Sequence, residues 1–265
     1  MIDIGVNLTN KRFDKDRVEL IARAKSAGVE QLLITGTSVD ESRKALALCQ
    51  QYEQTFPNTL YATAGVHPHD ADSVTDDFLC QLRQLAQAPQ IKAIGECGLD
   101  FNRNFSTPAQ QLKVFSAQIS LAAELSMPLF LHQRDAFTPW FNELTPYIEH
   151  VPAMVAHCFT GTKQELEQCL KVGMYIGITG WLCDERRGQQ LQEIINLIPL
   201  NRLLIETDAP YLTPRTIKPK PKSSRNEPSY LPYIVDQIAS ILAIDPNEIA
   251  CQTSQNAQHV FKLLR

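Results

Sequence analysis

The sequence predicts an α/β protein of the (β/α)8 barrel type, on three observations. Eight short apolar runs alternate with longer amphipathic stretches, the pattern that builds a parallel sheet covered by helices. The 265 residues suit a single barrel domain spanning 1–265. A doubly wound open sheet would also alternate, but no glycine-rich fingerprint follows the first run.

The runs, in order, are IDIGVN (2–7), QLLITG (31–36), YATAGVHPH (61–69), IKAIGE (91–96), PLFLHQR (128–134), AMVAHCF (153–159), YIGITG (175–180) and LLIETDAP (203–210). Each is short and apolar, as a strand buried on both faces must be. Helical stretches such as DRVELIARAKSAG and PAQQLKVFSAQISLAAELS lie between them. Pro108 falls in the first turn of the latter, where a missing N–H costs nothing. Gly28 and Gly173 fall where helices should stop. No internal repeat and no interdomain linker is visible. The segment PRTIKPKPKSSRNEP (214–228), with five basic residues and one acid, reads as a long loop after the eighth strand.

Composition narrows the class. The chain is 44% hydrophobic and 20% charged, as soluble proteins are. Its net charge of -4 excludes a binder of polyanions that works by bulk attraction. Such a partner must be held by a local patch or by a metal. The seven cysteines are scattered without a CxxC pair, which predicts free thiols in the cytoplasm rather than a disulfide framework. The N-terminus is too polar for a secretory signal, and no run approaches the ~20 residues of a membrane span. We expect a cytoplasmic monomer with no membrane role.

The polar residues at the ends of the runs point to chemistry. Glu96, His132, His157 and Asp208 each close a predicted strand at its C-terminal end, the face where barrels of this type carry catalytic groups. His67 and His69 close the third strand in the same way. Any one of these is explained by ordinary hydrogen bonding or ion pairing. Together, two imidazoles and two carboxylates on four strand ends suit a divalent metal that activates water. Glu206 and Asp208, two apart, should point the same way along a strand. That makes Asp208 a ligand and proton acceptor, and Glu206 a further ligand, a carboxylate orienting a ligand, or half of a buried ion pair. Arg134, two after His132, suits a phosphate or a salt bridge. Asn7 and His69 are candidate substrate contacts. Lys218, Lys220 and Arg225 either hold a nucleic-acid backbone or belong to a solvated loop. Cys97 and Cys158 are read as packing residues.

These residues lie in motifs that resemble the TatD family of metal-dependent deoxyribonucleases: AGVHPHD (64–70), IGECGLDF (94–101), LHQRDA (131–136), HCFTGT (157–162), GITG (177–180), ETDAPYL (206–212) and RNEP (225–228). The motifs span almost the whole chain in order. The resemblance implies a TIM barrel of the amidohydrolase-like kind and metal-dependent hydrolysis of phosphodiester bonds. It further implies a 3′–5′ exonuclease on single-stranded DNA or RNA, with a role in DNA repair. On that likeness Glu96, His132 and His157 match metal ligands, Asp208 matches the strand-eight aspartate, and His67 lies near the scissile phosphate.

One departure from the wider family concerns the first strand. Its Asp-x-His-x-His stretch is here DIGVN, with Gly5 and Asn7 in place of the two histidines; the subgroup that gives the family its name shows the same loss. Fewer nitrogen donors leave a site richer in oxygen and water, which favours Mg²⁺, or Mn²⁺, over Zn²⁺. Asp3 remains as a hydrogen-bond acceptor. The expected chemistry has Glu96, His132 and His157 holding the metal and Asp208 accepting a proton from bound water. Arg134 and His67 stabilise the phosphate, and a second metal arrives with substrate. Two rival readings use the same sequence. One is a D-aminoacyl-tRNA deacylase or other amidohydrolase, since a metal-activated water also cleaves esters. The other is a catalytically impaired barrel that keeps a binding role.

Overall fold

The computed structural model of the chain describes residues 1–263. Its strands are β1 (Ile2–Val6), β2 (Gln31–Ile34), β3 (Leu60–Ala64), β4 (Ile91–Asp100), β5 (Leu129–Arg134), β6 (Met154–Ala156), β7 (Tyr175–Ile178) and β8 (Leu203–Ile205). They form one eight-stranded sheet in sequence order, with parallel pairing of β3 to β4, β4 to β5, β5 to β6 and β7 to β8 and a parallel bridge from Val6 to Ala209. The helices between strands are α1 (Arg17–Ser26), α2 (Val39–Tyr52), α3 (Phe78–Leu85), α4 (Pro108–Leu125), α5 (Phe137–Leu144), α6 (Lys163–Lys171) and α7 (Gln189–Ile194), and α8 (Leu231–Leu242) and α9 (Pro246–Phe261) follow β8. This is the expected (β/α)8 barrel. No described helix is long and apolar enough to cross a membrane.

Contacts gather the chain into two compact units. The first is built mainly from Met1–Leu33 and Cys158–His259. In it the backbone of β1 meets the end of β8: Asn7 N–H donates to Ala209 O and Asp208 N–H to Gly5 O, both at 2.8 Å. Its core is aliphatic, with Ile4, Val6, Ile176, Ile178 and Leu203–Ile205 buried beside Leu231, Ile234 and Ile238 of α8.

The second unit is built mainly from Ile34–His157. The buried face of α4 includes Gln111, Val114, Phe115, Gln118, Ile119 and Ala122, the three-and-four spacing of a core-facing helix. Its two glutamines satisfy backbone groups at strand ends. Gln118 accepts from Val66 N–H at 2.8 Å and donates to Val66 O at 3.0 Å. Gln111 accepts from Asp100 N–H at 2.9 Å and donates to Asp100 O and Ser106 O at 3.0 and 2.9 Å. Buried loop backbone needs such partners, and these two fix the chain just beyond β3 and at the end of β4.

The apolar runs overstate several strands. β3 stops at Ala64 and β8 at Ile205, so His67, Glu206 and Asp208 lie in the turns that follow. Pro68, without an N–H, starts a short 3-10 helix over Pro68–Ser73, and His67 caps it. The opposite holds for β4, which runs on through Asp100.

Candidate metal centre

Glu96 sits where β4 breaks its ladder with β5. Gly95 pairs with Phe130 and Cys97 with Leu131, so Glu96 is the extra residue of a bulge. Its N–H donates instead to Gly36 O at 2.8 Å. A bulge re-aims one side chain out of the alternating pattern. The glycines on either side are required here. Gly95 and Gly98 have φ of +140° and +152°, and a Cβ on either would collide with the carbonyl of Phe130 or His132.

Three imidazoles converge on one oxygen of this carboxylate. Glu96 Oε1 lies 2.9 Å from His132 Nδ1, 2.8 Å from His157 Nε2 and 3.4 Å from His67 Nε2. His132 comes from β5. His157 follows β6, its N–H bonded to Leu131 O at 3.0 Å and its ring 4.6 Å from that of Phe130. His67 is oriented by His69 N–H, which donates to its Nδ1 at 3.1 Å.

The charges follow from these contacts. Burial alone would raise the Glu96 carboxyl, but His157, His67 and His132 outweigh it and hold it well below the ordinary carboxylate range. Burial lowers His67 to about 4, more than nearby Glu96 raises it, so its ring is neutral near pH 7. Burial also opposes the charged form of His132, but the neighbouring carboxylates of Asp100 and Glu96 prevail and raise it. The two histidines differ because His132 faces a second carboxylate: its Nε2 lies 3.7 Å from Asp100 Oδ2.

This cluster fits a divalent cation. Ligand atoms of His67, Glu96 and His132 lie within 4.8 Å of one another. His132 Nε2 is buried without a hydrogen-bond partner, an unusual condition for a ring nitrogen and one that a metal bond relieves. Sequence reasoning placed His67 beside the phosphate; the structure places it among the possible ligands. Asp100 was not singled out at all. It is buried at the end of β4 and binds His69 Nε2 at 2.6 Å, an orienting contact of the kind metal sites use. The acid in GLDF was the available signal.

In the other unit, the strand-pleat expectation for Glu206 and Asp208 does not hold, because β8 has already ended. Glu206 Oε1 accepts from Cys158 N–H at 2.6 Å. Asp208 adopts a left-handed backbone with φ of +52°, and its Oδ1 accepts from Asn7 Nδ2 at 2.9 Å. Asn7 thus spends its amide on Asp208. Beneath them, fully buried Asp3 accepts from Thr207 N–H at 2.9 Å, Thr207 Oγ1 at 2.5 Å and Gly5 N–H at 3.3 Å.

The basic loop is largely committed to structure. Arg225 grips Asp16 with two bonds of 2.7 Å. Asn226 Nδ2 holds Thr207 O and Tyr211 O at 2.9 and 2.6 Å, and Glu227 takes both arms of Arg23. The RNEP motif therefore clamps the β8 loop. Arg215 pairs with Glu185 at 2.7 Å, while Lys218, Lys220 and Lys222 are exposed. Arg134 ends β5 with its Nε 3.9 Å from Asp135 Oδ1.

Comparison with known proteins agrees with this geometry. The sequence model of one family, TatD related DNase, matches residues 2–262. A 3′-5′ ssDNA/RNA exonuclease TatD of Pectobacterium atrosepticum is 54% identical over 263 residues, covering 99% of this chain and 100% of that one. The protein of the same name from Yersinia pseudotuberculosis is 53% identical over 264 residues, with 100% of both chains covered. Among solved structures, a TatD family hydrolase from Entamoeba histolytica superposes with a TM-score of 0.91 at 27% identity, covering 100% of this chain and 98% of that one.

Proposed function

The chain belongs to the family of TatD-related DNases, and from that membership we propose that it removes nucleotides from the 3′ end of single-stranded DNA or RNA. The observation that carries the reading is the convergence of three imidazoles on Glu96 Oε1 beside a buried His132 Nε2 that makes no hydrogen bond. Glu96, His132 and His67 would hold a divalent cation, with His157 against the same carboxylate, and the cation would polarise the phosphodiester and acidify a water. Glu96 is ionised across the physiological range and serves as the anionic anchor. Neutral His67 is suited to donate a lone pair rather than to act as a cation toward phosphate.

Asp208 is the proposed proton acceptor. That role is supported by its motif and by the fixed pose that Asn7 gives its Oδ1. Arg134 is the proposed phosphate contact, on the strength of its place two residues after His132. The metal we propose is Mg²⁺ or Mn²⁺. The first strand offers no imidazole, while carboxylate and water donors suit these hard ions. Seven free cysteines suit the reducing cytoplasm in which we place the protein, as a monomer.

The test is digestion of an end-labelled single strand with Mg²⁺, Mn²⁺ or Zn²⁺ supplied separately. Wild type should shorten it from the 3′ end with the first two ions. Glu96→Ala should lose about two orders of magnitude or more in rate while keeping its circular dichroism spectrum. A folded, fully active Glu96→Ala variant, or release from the 5′ end, contradicts the proposal.

A further inference from the structure

Resting on the exonuclease reading, we propose that the loop after β4 is a nucleobase subsite, where Phe105 stacks an unpaired base and Arg103 meets its phosphate backbone. Phe105 is 67% exposed, the most exposed of the four large apolar side chains at the described surface. One edge contact is spoken for: its ring lies 4.8 Å from that of His69 at 89°. His69 in turn lies 4.2 Å from His67, ring to ring. Two ring contacts thus connect the platform to the metal cluster, all within one compact unit.

The outward pose is built by the loop. Asp100 Oδ1 accepts from Asn102 N–H and Arg103 N–H, each at 3.0 Å. Asn104 takes a left-handed conformation, φ +48°, and its side chain bonds Phe101 O at 2.8 Å. Ser106 Oγ then ties the loop to His69 O at 2.8 Å. The chain is turned so that Ser106 is buried and Phe105 is not. A base stacked on this ring would remove apolar surface from water.

Arg103 supplies an independent observation. Among the described residues it is the arginine whose guanidinium has no hydrogen bond, ion pair or ring contact, while Arg215 and Arg225 of the basic loop are paired. An exposed ring and an uncommitted cation two residues apart are the two parts of a single-strand site: stacking that tolerates any base, and charge that follows the backbone. A paired base inside a duplex offers no face to such a ring, so the platform selects frayed or single-stranded ends.

The experiment compares wild type, Phe105→Ala, Phe105→Trp and Arg103→Ala on an oligothymidylate and on the same strand with abasic 3′-terminal nucleotides. Phe105→Ala should raise KM for the normal strand about tenfold, with kcat within about twofold, and leave the abasic strand unaffected; Phe105→Trp should restore KM. A strand ending in 2-aminopurine, bound with metal withheld, should be quenched by wild type and Phe105→Trp but not by Phe105→Ala. Arg103→Ala should weaken both strands alike. The subsite is refuted if Phe105→Ala leaves KM unchanged or impairs both strands equally, or if wild type does not quench the probe. Should wild type digest neither strand, the exonuclease reading fails and the subsite with it; digestion without discrimination by Phe105 removes the subsite alone.

Discussion

At the scale of single residues, Asp3 carries a pH dependence that can be signed. Burial raises its carboxyl to about 7, outweighing the hydrogen bonds from Thr207 and Gly5. The folded state therefore keeps a proton that the unfolded chain has released above its ordinary value near 4. Stability from this group is fully present at low pH and is lost as pH rises towards 7, by about 1.4 kcal/mol per pH unit inside that window. Depressed carboxylates such as Glu96 and Glu227 act in the opposite direction, so the comparison must be with Asp3→Asn. The urea-unfolding advantage of wild type over that variant should shrink between pH 5 and 7 and stay constant above 8. A difference that ignores pH would show that Asp3 is ionised throughout. Glu96, His132 and His157 were visible in the sequence because each is a polar residue set in an apolar run, and Asp3 through the first-strand stretch of the family the chain resembles. Asp100 and Phe105 were not. The partner that gives Asp100 its meaning, His69, comes from another strand's turn, and nothing local tells an exposed phenylalanine from a core one.

Among the elements, α4 shows how a helix outside the sheet governs a strand end. Gln111 bonds both backbone groups of Asp100, the residue that orients His69. Gln111→Leu preserves volume but strands buried polar groups, each costing about 1–3 kcal/mol. We expect at least about 2 kcal/mol of lost stability in urea unfolding, together with weaker Mn²⁺ binding by calorimetry. A loss confined to stability would mean that the strand end holds its shape without the glutamine. The alternation of runs, the proline start of α4 and the helix stops before Gly28 and Gly173 were legible, since each depends on local periodicity or on one residue's backbone preference. Strand ends were not. The bulge at Glu96 and the left-handed turn at Asp208 arise from pairing and crowding across strands, and a pleat rule applied to Glu206 and Asp208 has no force once the strand is over.

For the whole molecule, the question is how a chain of net charge -4 handles a polyanion. Seven of its thirteen arginines neutralise the protein's own carboxylates: Arg17, Arg23, Arg43, Arg83, Arg187, Arg215 and Arg225 all lie within 3.0 Å of an acid. Few arginines remain to displace counterions from a nucleic acid. The affinity of a single strand falls with salt at a slope of roughly 0.7 per phosphate contacted. If Arg103 and one or two further groups supply the contacts, log KM should rise with log salt at a slope of about 1–2, measured at fixed divalent ion. Arg103→Ala should lower that slope by roughly 0.7. A slope steeper than about 4 would instead require an extended basic surface, and the exposed Lys218, Lys220 and Lys222 would then be the first residues to replace. A shallow slope means that affinity comes from the metal cluster and the stacking platform. Binding of that kind persists at salt concentrations that would strip a purely basic groove from its strand.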